Sequence, residues 1–322
     1  MSLTREDRGH VVSIAESEAL LAAVAARVEN PAAGVYGPDS LTWRVNREAA
    51  IFLGAGRAAI LQLAHPWVTA ALAQHSSVLA RPIARFHNTF RIVFTMVFGA
   101  LEQALGAARY LHRLHTRIQG EMTEDAAAYS RGSRYQANEI AALRWVYATL
   151  AESAVVAYEA VAGPLSAQER EAYYAESKTL AALFGLPPSA LPEDWSAFEN
   201  YCREMCASNA LGASDAARAM ARDLLAGAGS WIRPPYWYRA TTALWLPERI
   251  RAEFGLRPDE GDRKKAERAL QRIAKMIPRL PGAIRFVGPY HEAQARLSGE
   301  PAGVLARMSN RFWIGEAKLP FA

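Results

Sequence analysis

Two stretches concentrate residue types that can do chemistry. The first is "RPIARFHNTFRIVFTMVFGA", residues 81–100, whose spacing predicts a helix over 82–98. At about 100° per residue, Phe86, Phe90, Ile92, Val93, Met96 and Val97 form one apolar arc. Arg85 and Thr89 sit one turn apart inside that arc. His87, Arg91 and Thr95 make a polar arc, with Asn88 at its margin. A guanidinium taken out of water costs several kcal/mol, on the order of a whole ion pair, unless an anion or several acceptors meet it. Two readings follow. Arg85 either pairs with a carboxylate elsewhere in the chain, or faces a pocket where it meets a polar ligand or a reacting oxygen, with the Thr89 hydroxyl beside it.

The second stretch, "EQALGAARYLHRLHTRIQG", residues 102–120, holds two histidines three apart. Helical phase puts His115 on a buried stripe with Ala108, Leu111 and Ile118, and His112 on the more polar side with Arg109 and Thr116. A buried imidazole is commonly a satisfied core residue; as a neutral donor it also suits a metal or a heme iron. No HExxH or ExxH is present, which argues against a zincin or a di-iron bundle. CxxCH is missing too, so any heme would be held without thioether links. His65, before Pro66, and His75, before Ser76, stand at helix ends and are expected to cap backbone carbonyls; with His87 they are the remaining imidazole candidates. Cys202 and Cys206 share a helix face with no further ligand nearby and read as two reduced thiols. No GxSxG elbow marks a nucleophile.

The elements that must position these residues are helical. Apolar spacing follows the helical period over 17–28, 48–64, 66–74, 82–98, 102–119, 139–161, 167–183, 194–207, 215–226, 238–254, 259–276 and 289–297. Gly99 and Gly120 are expected as C-caps, and "SAQE" at 166–169 as a capping box. "AGP" at 162–164 and "GLPP" at 185–188 end helices. Alternating strand patterns are almost absent, and "GAGRAA" at 54–59 lies in a helical pattern rather than after a strand, so a dinucleotide fingerprint is not supported. The expectation is one all-α domain over residues 1–322.

Composition narrows the class. A chain of 322 residues, 51% hydrophobic and 21% charged, is a folded protein rather than a disordered one. Its formal charge of +5 is mild, and the densest basic cluster, "RKKAER" at 263–268, reads as a solvated helix face, so no nucleic-acid partner is expected. The polar start "MSLTREDRGHVV" lacks the apolar core of a signal peptide, and no apolar run is expected to approach the length needed to span a bilayer; a cytoplasmic protein is expected.

Taken in order, "FLGAGRAAILQLAHP", "QHS", "ARFHNTFRIVFTMVFG", "HTRIQG" and "YQANEIAALRWVYATLAESAVVAYE" resemble the helical heme oxygenase family of latex-clearing proteins (rubber oxygenases) and fungal MpaB-type oxygenases. "YYAES", "LPERIRAEFG" and "LPGAIRF" add weaker echoes, and the resemblance spans roughly residues 40–290. It implies about a dozen helices enclosing a noncovalent heme b, with His115 as the axial iron ligand and Arg85 and Thr89 as the distal Arg-x-x-x-Thr pair. It further implies that dioxygen is used on a small apolar substrate, in latex-clearing enzymes by cleavage of carbon–carbon double bonds. Two departures stand out. Asn88 replaces the lysine that latex-clearing enzymes place before the Thr, and Tyr147 replaces a His found in many bacterial relatives. The lost lysine argues against polyisoprene as the substrate. The aromatic run "SWIRPPYWYRATTALW", residues 230–245, offers either a substrate-channel wall or ordinary helix packing. A peroxidase-like enzyme, a non-enzymatic heme-binding or sensing protein, and a metal-free helical interaction protein are the alternatives.

Overall fold

The computed structural model describes residues 9–75, 82–228 and 233–321, the side chains of 82–85 excepted. Sixteen α-helices and two three-residue strands appear among them, so the protein is all-α. Local chemistry explains many of the helix starts. Ser13 and Glu16 form a capping box that opens α1, Ile14–Ala25, ahead of the expected residue 17. Ser166 and Glu169 do the same for α8, Ala167–Leu183, as the sequence predicts. Asp259 and Asp262 open α13, Glu260–Met276. Two expected helices are interrupted. Residues 48–64 divide into a 3-10 turn, Ala49–Gly54, and α3, Ala55–Leu63. Residues 238–254 divide into α11, Tyr236–Trp245, and α12, Glu248–Glu253. The second break falls at Leu246, which precedes Pro247; a proline has no N–H to give and disfavours the helical conformation before it.

The hub is α7, Ile140–Ala162, which packs on the 3-10 turn, α3, α8, α9 (Trp195–Ala207) and α13. Trp145, Tyr147 and Ala157 on it are essentially inaccessible. Contrary to the expectation that no apolar run approaches spanning length, this helix is long and apolar enough to cross a bilayer by length and composition; 67% of its most apolar window is buried inside the protein. One apolar cluster runs from Val12 to Leu319 and joins it to α5, Pro82–Phe98, and α6, Leu101–Thr116.

Of the two glycines expected as C-caps, only Gly99 takes that place: it follows Phe98 at the end of α5 and gives its N–H to the Thr95 carbonyl at 2.9 Å. Gly99 lies against Gly34, whose missing Cβ would strike the Gly99 carbonyl. Gly120 is not a cap at all, because α6 stops at Thr116. It sits in strand β1, Gln119–Glu121, paired antiparallel with β2, Arg134–Gln136, where Gln74 and the Tyr135 hydroxyl cover the place of a Cβ.

Candidate functional site

Helices α5 and α6 are joined through Gly99 and Ala100 and pack against one another as a helical hairpin. The first half of α5, bearing Arg85 and Thr89, therefore runs beside the last turns of α6, bearing Leu111, His112 and His115. Arg85 belongs to α5, but its side chain lies outside the described residues, so the choice between ion pair and pocket rests on its neighbours. Thr89 is half-buried, and its hydroxyl has no hydrogen-bond partner among the described residues. Thr95 and Thr116, on the same hairpin, instead fold back onto the carbonyls of Arg91 (2.7 Å) and His112 (2.9 Å).

The expected polar arc of α5 is covered. Thr95 is fully buried. Arg91 pairs with Glu316 at 3.0 Å, and His87 Nε2 donates to the Phe312 carbonyl at 2.9 Å. Both partners belong to α16, Val304–Ile314, and the turn after it, an element the periodicity does not announce. Asn88, at the lysine position of latex-clearing enzymes, accepts from Arg91 through Oδ1 at 3.1 Å.

The histidines separate by what their ring nitrogens meet. His10 pairs with Glu16, His75 donates to the Gln119 carbonyl and His291 to that of Gly282. With His87, these four are occupied. His65, His112 and His115 each carry a buried Nδ1 with no closed hydrogen bond. His65 thus does not cap a carbonyl as expected; at 1% exposure it lies among Trp67 and Tyr129, and burial lowers its pKa to about 4.

The burial order of the α6 pair also differs from the phase prediction. His112 is the closed residue, 7% exposed, and His115 is half-buried. Helical phase places a residue on a stripe, but the chain before α7 folds over the last turn of α6 and decides which side of it is covered. The acid–base behaviour points the other way from surface area. Desolvation pushes His115 to about 4, with help from neighbouring His112, whereas His112 is lowered less far. His115 thus combines a desolvated ring with an accessible edge.

A residue that sequence reasoning missed stands behind this ring. The β1–β2 ribbon and the Ala137 N–H bond to the Ile118 carbonyl fold "YQANEI" back onto "HTRIQG". Asn138 is thereby driven into the last turn of α6 at 3% exposure. Its Nδ2 donates to the His112 carbonyl at 3.2 Å and to Thr116 Oγ1 at 3.1 Å. The sequence signal was available only as a polar residue just before the Glu139 cap of α7.

The other quoted motifs join in a different way. Arg57 of α3 gives Nη2 to Glu152 (2.7 Å), Nη1 to Ser153 (2.8 Å) and Nε to the Trp245 carbonyl (3.0 Å). Gln62 bonds Thr149, and Trp145 bonds the Leu61 carbonyl. "GRAAILQ" and "WVYATLAES" are thus strapped together across α3 and α7. Tyr147 is sealed in the core with its hydroxyl 2.6 Å from Ser177 of α8, and burial pushes its pKa up.

The remaining candidates are structural. Cys202 and Cys206 are free and buried, and desolvation raises both thiols, Cys206 to about 12, so neither presents a thiolate. Within the aromatic run, residues 230–232 lie outside the described residues. Trp237, Tyr238 and Trp245 pack with Leu270 and Ile273 of α13 in a satellite core, so for them the helix-packing reading holds.

The donor set fits a heme. Among the described residues no three His, Cys, Asp or Glu side chains gather where they could hold a metal ion. A bare iron site of the two-His, one-carboxylate kind has no ligands there. A single half-buried, uncharged imidazole with an unpartnered Nδ1 suits an iron whose remaining ligands come from a macrocycle.

The family described as ER-bound oxygenase mpaB/B'/rubber oxygenase, catalytic domain, matches residues 43–279. That span includes the α5–α6 hairpin, Asn138 and the Arg57–Glu152 pair. No protein of curated function and no solved structure matches the chain.

Proposed function

Because the chain belongs to the mpaB/rubber oxygenase catalytic-domain family and is thereby an oxidoreductase of the oxygenase class, we propose that it binds heme b noncovalently through His115 and oxygenates a small apolar substrate. The observation that carries this reading is the half-buried His115, desolvated and uncharged at neutral pH. When bound, heme b supplies activation of dioxygen. Thr89 contributes a hydroxyl without a partner among the described residues, a ready donor to an oxygen of dioxygen or substrate. Arg85, one turn earlier, contributes a cation to stabilise negative charge that develops on that oxygen. Asn88 is engaged by Arg91 and does not act as the lysine of latex-clearing enzymes would.

Oxidative cleavage of a carbon–carbon double bond is the reaction in keeping with the family resemblance. It places one atom of dioxygen on each carbon of the former double bond, giving two carbonyl products with no external reductant. Two unpaired thiols are in keeping with a reducing, cytoplasmic setting.

The test is direct. The purified chain, titrated with hemin and treated with pyridine and reductant, is expected to show one heme b per chain. Incubation of the loaded protein with a short isoprenoid under oxygen is expected to yield carbonyl products. A protein that takes up no hemin overturns the cofactor assignment. Turnover by hydrogen peroxide but not by dioxygen makes it peroxidase-like, and a stable six-coordinate iron without product makes it a heme-binding or sensing protein.

A further inference from the structure

We infer that Asn138 is a positioning residue for His115: its Oδ1 accepts the Nδ1 proton of the imidazole, sets the tautomer, and leaves the Nε2 lone pair for the ligand. The role toward iron rests on the reading of His115 as the axial ligand; the role toward the tautomer does not.

The orientation of the amide is decided by its other end. The His112 carbonyl can only accept, so the Asn138 atom 3.2 Å from it must be the NH2 group. The Thr116 hydroxyl already donates to that same carbonyl, which leaves its lone pairs to take the second Nδ2 proton. A flipped amide would set oxygen against oxygen. Oδ1 is thus forced to the far side, where it is buried and makes no closed hydrogen bond. His115 Nδ1 is likewise buried and open. One is an acceptor and the other can be a donor, and the Asn138 side chain interacts with the His115 ring in the sense that favours a proton on it, as an acceptor would.

Two complementary buried groups on interacting side chains, each left open, each cost free energy that one hydrogen bond recovers. Closing the pair places the proton on Nδ1. A neutral imidazole has one proton to place, so Nε2 is then bare and its ring plane is held against the end of α6. Histidine ligands are generally oriented through the nitrogen that does not touch the metal. Here that partner is an amide, itself pinned by two bonds to the helix that carries the ligand.

The experiment begins without cofactor. In the full chain labelled with 15N-histidine, two-bond nitrogen–proton correlations near neutral pH report the tautomer of each ring, and His115→Gln assigns the signal. The expected result is a proton on Nδ1 of His115, and a shift toward the Nε2-protonated form in Asn138→Leu. An Nε2-protonated His115 in the unaltered chain, or an unchanged tautomer in a folded Asn138→Leu, overturns the proposal. Asn138→Ala serves if the leucine variant does not fold; it is likewise expected to shift the ring toward the Nε2-protonated form, and an unchanged tautomer in the folded alanine variant also overturns the proposal.

Hemin then tests the link to iron. Asn138→Leu is expected to retain hemin about ten- to a hundredfold less tightly. Asn138→Asp is expected to lower the reduction potential of the loaded protein by making the imidazole more electron-rich. Unchanged affinity and potential in both variants overturn the positioning role. If the unaltered chain binds no hemin while the tautomer behaves as expected, the axial-ligand reading fails and the Asn138–His115 pair stands.

Discussion

The polar groups buried between α3 and α7 and those buried at the end of α6 differ in one respect. Each guanidinium nitrogen of Arg57 has an acceptor: a carboxylate, a hydroxyl and a carbonyl. Around His115 the pattern is the reverse, with the Nδ1 atoms of His112 and His115 and Oδ1 of Asn138 all open. A saturated knot has no capacity left for a ligand, so its worth lies in holding two helices together. A cluster with open valences is costly to keep unless something completes it; Asn138 Oδ1 and His115 Nδ1 can complete one another, which leaves the Nε2 edge of His115 for a ligand. The contrast is in keeping with a structural part for the first region and with the proposed ligand site at the second, although both occur in the motifs that carry the family resemblance.

The largest expected effect lies at the open region. We predict that His115→Ala removes most bound heme, at least about tenfold in heme per chain after identical purification, because only apolar ring burial then holds the macrocycle. Added imidazole should restore part of the Soret band, and His112→Ala should keep its heme. Full heme with an unchanged spectrum in His115→Ala would erase the distinction between the two regions.

At the saturated region the loss should appear in stability instead. Removing one partner of a buried pair leaves the other charge uncompensated, so Arg57→Leu should cost about 3–5 kcal/mol in urea unfolding. Heme per folded chain should be unchanged at low temperature. A stable Arg57→Leu protein that had lost heme would move Arg57 into the site.

Thr89→Val sharpens the contrast within one hairpin. Its hydroxyl meets no partner among the described residues, so stability should change by less than about 0.5 kcal/mol, while turnover falls on the order of a hundredfold if the hydroxyl serves oxygen. Arg85→Leu should act in the same direction. Equal turnover in Thr89→Val and the parent would leave this hydroxyl without a catalytic part.

The smallest effect is electrostatic. His65 has a pKa of about 4 in the fold against 6.5 for the free side chain, so the unfolded chain binds more protons between those values. Stability contributed by its neutral form is present above the unfolded value and declines as pH falls toward the folded one. Between about pH 7 and about pH 5.5 the loss should be about 1 kcal/mol. His65→Gln should flatten that part of the pH–stability curve; an unaltered slope would show that His65 titrates normally.

Much of the fold was legible in the chain. Helical periodicity is a local property, as is the Ser166–Glu169 box, and α5 is found with the expected limits, whereas the periodicity reads through the break before Pro247 as one continuous helix. The candidate site was legible in its residue types: an arginine and a threonine in an apolar arc, and paired histidines one helix later. Which histidine is closed was not legible, because phase relates a residue to its own helix while cover comes from elsewhere. The lid over the polar arc of α5 is supplied by Phe312 and Glu316, both 225 residues away in sequence. Asn138 escaped notice for the same reason, since nothing in "YQANEI" says that its amide will meet the last turn of α6 through a two-stranded ribbon. The sequence by itself determined the helices and the chemical types brought to them, because those depend on neighbours three and four residues away. Only the tertiary structure decided which buried polar atoms are satisfied and which are left open, because a hydrogen bond is completed by whatever the fold brings within reach.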